Sequence, residues 1–134
     1  MKKKVMGVFL VFGISLMAND VVVDDETGLI WQDSASIVKK DWSGAKSYCK
    51  DLSLGGYSNW RLPHIDELIS IVDTSRKSPA IKKIFKNTKS DYYWSSTEYK
   101  GDSSKAWDLI FYNGGDLYND KSNDYYVRCV VGRQ

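Results

Sequence analysis

The chain has 134 residues, with 19 lysines and arginines against 17 aspartates and glutamates, a formal net charge of +2. That length holds one domain. One histidine and two cysteines with no Cys-x-x-Cys leave no ligand set for a structural zinc site.

Met1-Lys2-Lys3-Lys4 is basic, Val5 to Met17 carries no charge, and Ala18 ends the run on a small residue before polar Asn19-Asp20. That order is the pattern of a secretory signal peptide, predicted here as residues 1–18, with one domain over 19–134. The apolar run falls short of the roughly 20 residues that a membrane-spanning helix needs. An uncleaved anchor is the alternative; after cleavage no stable span is expected. The expected address is the periplasm, or secretion to the medium or cell surface. Three lysines and no acids lie in the signal, so the mature domain carries 16 basic against 17 acidic residues, net −1. Its charge balance therefore calls for no nucleic acid. Arg76, Lys77, Lys82, Lys83, Lys86 and Lys89 read as a solvated basic face. In an exported chain two cysteines read first as a disulfide, Cys49–Cys129, with two free buried thiols as the alternative. Closing a loop of about 80 residues contributes roughly 4 kcal/mol on the chain-entropy model.

Val21-Val22-Val23, the turn-forming Asp24-Asp25-Glu26-Thr27-Gly28 and Leu29-Ile30-Trp31 predict a hairpin, with Gly28 free to take positive φ. Asp41 suits an N-cap. Trp42, Ala45, Cys49 and Leu52 then follow helical spacing, which turns Cys49 inward, and Gly55-Gly56 would end this helix. Pro63 disfavours helix at Leu62 and suits the start of the next helix, whose inner face is Ile65, Leu68, Ile69 and Val72. Ser78-Pro79 is expected to open a short helical turn carrying Ile81, Ile84 and Phe85. Strands are predicted at Tyr92–Trp94, Ala106–Tyr112 and Tyr125–Val131, with a turn at Asn113-Gly114-Gly115. In the last strand Tyr125, Val127, Cys129 and Val131 share one face, so Cys129 also points inward. Residues 98–105 and 113–124 read as polar loops. The expected fold is α+β: two main helices, an antiparallel sheet, long irregular loops and one disulfide.

The strings TGLIWQD (27–33), W..A..YC..L (42–52), GYSNWRLP (56–63), EL (67–68), YWSST (93–97), AW (106–107) and YVRCV (126–130) occur in order. Together they resemble the Lcl C-terminal domain family, the end domain of a collagen-like bacterial adhesin, over about residues 21–132. The resemblance implies a fold similar to the C-type lectin-like fold, in which a disulfide ties the first helix to the last strand. It also implies an adhesion-type binding role. The residue after Leu62-Pro63 is commonly Thr in such proteins; His64 here is a poorer helix cap.

Catalytic chemistry finds little support. His64 has no partner and nucleophile set, Ser95-Ser96-Thr97 lack an activating base, and no Gly-x-Ser-x-Gly elbow occurs. Trp60 reads as core and Arg61 as a tie between loops. The related formylglycine-generating enzymes share an RLP-type string but need reactive cysteines near the C-terminus; only Cys129 stands there. The expectation is a non-catalytic domain that needs no cofactor and presents loops to a glycan or to an envelope or extracellular protein. A structural or assembly protein of the envelope is the alternative, an enzyme the remote one. The predicted ligand-binding residues are Tyr99, Asp102, Asp116, Tyr118, Asn119, Asp120, Asn123 and Asp124. Their oxygen-rich side chains would also suit calcium. The spacing matches no EF-hand loop, and the Glu-Pro-Asn, Gln-Pro-Asp and Trp-Asn-Asp strings of sugar-binding C-type lectins are absent. Tyr99, Trp107, Tyr112 and Tyr118 could stack on sugars or proteins; Trp107 reads rather as core, and Tyr118 is the better surface candidate.

Overall fold

In this computed structural model residues 20–132 are described; the predicted signal peptide lies outside them. Strand β1 (Val21–Val23) pairs antiparallel with β2 (Ile30–Gln32), as the sequence predicts. Gly28, at φ 77°, closes the intervening turn, and its N–H reaches the Asp24 carbonyl at 2.7 Å. The final strand β8 (Val130–Val131) lies on the other side of β2, so the two ends of the domain share one three-stranded sheet.

The second sheet has the order β3 (Lys39–Lys40), β7 (Tyr125–Tyr126), β4 (Tyr92–Glu98), β5 (Lys105–Ile110), β6 (Gly115–Asp120). Its strands run antiparallel except β4 and β7, which meet in parallel at Tyr93 and Tyr126; the sheet is therefore mixed. Strand β4 is longer than predicted and bulges between Trp94 and Glu98. Strand β6 occupies a stretch read from sequence as loop. It is an edge strand that buries no residue fully, so it carries no inward apolar alternation to betray it.

Helix α1 (Trp42–Asp51) starts at the predicted cap, where the Asp41 carboxylate accepts the Gly44 N–H at 2.9 Å. Trp42, Ala45 and Cys49 are its buried face. Gly55 and Gly56 do not end it. Both at positive φ, they form a two-residue turn between Leu54 and Tyr57, which exchange main-chain hydrogen bonds. Helix α2 (Ile65–Ser70) starts after His64, and other residues do the capping. The Glu67 carboxylate accepts the His64 N–H at 2.8 Å, and the Thr97 hydroxyl accepts the Ile65 N–H at 2.9 Å. No helix forms at 78–85; the segment is irregular, with a single turn in which the Phe85 N–H bonds the Lys82 carbonyl at 3.1 Å. Ile81 is bridged to Val72, and Ile81 and Phe85 enter the core. Within the basic run Lys82 pairs with Asp24 at 2.9 Å and with Glu26, while its other members lie at the surface.

The single last strand of the sequence reading is two. At residues 127–129 the chain leaves the five-stranded sheet for the three-stranded one: Val127 N–H still bonds the Val38 carbonyl, and the Cys129 carbonyl already accepts the Gln32 N–H. Buried Arg128 holds the crossing, donating to the carbonyls of Gln32 (2.7 Å) and Asn87 (2.6 Å). The predicted alternation survives. Tyr125, Val127, Cys129 and Val131 join the core cluster of Trp42, Trp60 and Trp94; Tyr126 and Val130 join that of Trp31, Leu68 and Phe111. The Cys49–Cys129 disulfide lies fully buried in the first cluster, its Cα atoms 5.5 Å apart.

Candidate functional site

The β5–β6 hairpin sorts its side chains by register. Trp107 faces Tyr118, Lys105 faces Asp120 and Leu109 faces Asp116 on one side of the sheet; Asp108 faces Leu117 and Ala106 faces Asn119 on the other. The 99–104 loop folds back over the first side, fixed by the Tyr99 N–H on the Lys105 carbonyl at 3.0 Å. Tyr99 consequently stacks on Tyr118 with ring centroids 3.8 Å apart and planes 6° from parallel. Trp107 meets both rings edge-on, at 5.8 and 5.2 Å, and forms their floor. Gly101 lies so close against Tyr99 that a Cβ there would fall 2.6 Å from its ring. Tyr99 is thus covered by Gly101 and Tyr118, whereas Tyr118 remains 44% exposed.

Ion pairs and turns hold this platform. Asp102 accepts both the N–H and the hydroxyl of Ser104, which lowers its pKa. Lys105 reaches Asp120 at 2.7 Å, and that hydrogen bond raises its own pKa. Lys121 binds Glu98 at 2.8 Å and lies over the Trp42 ring, tying the loop to α1; the bond keeps Glu98 below the usual carboxylate range. The Tyr99 hydroxyl is pushed up, chiefly by its hydrogen bond with Tyr118.

Of the predicted ligand-binding residues, Tyr99, Asp102, Tyr118 and Asp120 come together here, with Asp116 two residues along the same face of β6. The others do not join them. Asn119 projects from the opposite face and donates to Asp108 at 2.8 Å. Asn123 donates to the Tyr125 hydroxyl at 3.2 Å near β7, with Asp124 exposed beside it. Among the described residues no three His, Cys, Asp or Glu side chains converge as an ion site would require. Trp107 proves to be half-buried support for the surface rings. Ser95 donates its hydroxyl to the Trp107 carbonyl at 2.6 Å.

Sequence reasoning missed Asp108. It is fully buried, Asn119 satisfies only its Oδ2, and burial, with a smaller push from Asp116, raises its pKa to about 6. The available signal was a lone acid within the apolar run Ala106–Tyr112.

These features define a disulfide-stapled α+β domain with an exposed aromatic platform at the edge of its larger sheet. The chain belongs to the Lcl C-terminal domain family, whose model matches residues 20–131, nearly its whole length. A search among curated proteins finds no match. The family points to an adhesin-like domain, and the buried disulfide is consistent with an extracellular or periplasmic location. No helix among the described residues is long and apolar enough to cross a membrane.

Proposed function

We propose that this is an exported, non-catalytic binding domain, kin to the C-type lectin-like fold, that takes a glycan or protein ligand on the Tyr99–Tyr118–Trp107 platform. The carrying observation is the parallel tyrosine stack with the outer face of Tyr118 open. An aromatic face backed by other rings is stiff, so a sugar ring or apolar side chain can stack on it at little entropic cost. The carboxylates of Asp116, Asp102 and Asp120 around it accept hydrogen bonds from hydroxyl donors. No cofactor takes part in this reading. Catalysis has no assigned group. Both cysteines form the disulfide, which leaves no thiol for the formylglycine-type reaction.

A screen of glycans and envelope extracts tests the proposal. Binding should fall at least tenfold in Tyr118→Ala, measured below its melting temperature, and should survive EDTA. A well-folded protein that recovers neither glycan nor protein would overturn it. A role in envelope assembly has one observation in its favour, the uncovered outer edge of β6, where Leu117 is 44% exposed. Recovery of a single envelope complex, with no glycan response, would select that role.

A further inference from the structure

An open groove of about 560 Å³ runs between α1 and the extended segment 60–64, on residues distinct from the tyrosine platform. Ser43, Lys46, Ser47 and Lys50 form one side; at i, i+3, i+4 and i+7 they make a single stripe of α1. Trp60 and Leu62 lie along the other side, with their side chains in the core. Arg61 exchanges main-chain hydrogen bonds with Val130, 2.9 Å each way, an isolated antiparallel bridge to β8.

Neighbouring residues of an extended strand turn their N–H and C=O groups to opposite edges. With Arg61 bonded to β8, Trp60 and Leu62 aim theirs away from it. Among the described residues these main-chain groups have no hydrogen-bond partner in the protein. Buried main-chain groups are nearly always paired. A row of them left open on an extended segment with core side chains is an edge able to accept another strand.

Charge selects the occupant. No carboxylate lines the groove. Glu67 neutralises Arg61 through two bonds of 2.8 and 2.7 Å, whereas Lys46 and Lys50 form no close ion pair among the described residues, Lys46 acting only at longer range on Glu98. Lys46 is held over the Trp42 ring at 4.1 Å. Four helical residues advance about 6 Å. Two strand residues advance about 6.6 Å. Acids two apart on an added strand therefore match lysines four apart on α1.

We propose that this groove binds an extended acidic peptide as an added strand, with its main chain on Trp60 and Leu62 and an acid-x-acid pair on Lys46 and Lys50. The test is a library of blocked hexapeptides with a central Glu-x-Glu and random flanks, screened against the purified protein. Selected peptides should shift the amide NMR signals of Trp60 and Leu62. They should bind at least tenfold more weakly to the Lys46→Glu/Lys50→Glu variant, compared below the melting temperature of both proteins. N-methylation of alternate peptide amides should abolish binding; Tyr118→Ala should not affect it. No enrichment over the double variant, or full binding by N-methylated peptides, would overturn the proposal. So would a sulfated oligosaccharide shifting those two amides where no peptide does, which would mark the groove as a polyanion site instead.

Discussion

Asp108 lies in the middle of β5, between Trp94 of β4 and Leu117 of β6, near enough to Tyr125 to help raise the pKa of its hydroxyl. A carboxylate in such surroundings holds its proton more tightly than in the unfolded chain, with a pKa of about 6 against 3.8. A raised acid pKa means that the folded state binds more protons between those values. Stability therefore falls as pH rises from about 4 to 6, by at most about 3 kcal/mol. Asp108→Asn should remove this slope and raise stability at pH 7 by about 1–3 kcal/mol, since the amide keeps the shape and carries no charge. Melting curves of both proteins from pH 4 to 8 check this. Equal slopes would show that Asp108 does not titrate in the native protein. Glu67 has the opposite sign: Arg61 and the His64 N–H lower its pKa against the opposing effect of burial. Its contribution is present above the unfolded value of 4.5 and is lost as pH falls from there through the lowered folded value, so acid weakens the fold at this site.

At the scale of elements, α2 is six residues long and cannot stand on propensity. Glu67 serves it twice, capping the His64 N–H and gripping Arg61, whose main chain is bridged to β8. Glu67→Ala is expected to cost about 2–4 kcal/mol, because it removes a cap and leaves the Arg61 guanidinium part-buried without its carboxylate. Glu67→Gln, which keeps the cap, should cost less; chemical denaturation of the two variants separates cap from charge. The sequence showed the acid in the first helical turn and the arginine six residues before it, but not that they meet. That pairing depends on how the extended approach at Leu62-Pro63 leads into α2. Helix α1 was legible because Trp42, Ala45 and Cys49 follow one period, and the first hairpin because apolar runs flank turn chemistry. Residues 78–85 misled because Ile81, Ile84 and Phe85 have helical spacing, whereas Ile81 is claimed by a bridge to Val72. Tertiary pairing overrode local pattern there.

For the whole molecule, the disulfide joins α1 to the crossing between the two sheets. Cys49→Ala/Cys129→Ala should lower stability by about 2–4 kcal/mol. The melting temperature would then drop by on the order of 10–20 °C. Ligand binding at the tyrosine platform should persist below the new melting point, since Tyr99, Trp107 and Tyr118 belong to the β4–β6 meander and not to the stapled elements. Scanning calorimetry together with a binding assay on the double variant checks both statements.

The sequence by itself determined the α+β class, both inward cysteines and their pairing, the first hairpin, the starts of both helices and the family, because each is written in local periodicity or in ordered strings. It also named the tyrosines and acids of the polar stretch. Only the tertiary structure decided that Tyr99 and Tyr118 stack, that Asn119 turns to the opposite face, and that Asn123 and Asp124 stand apart. Those outcomes depend on the register of β6 against β5, where a shift of one residue would move every side chain to the other face. An exposed edge strand carries no buried alternation to announce that register, so the packed sheet had to set it.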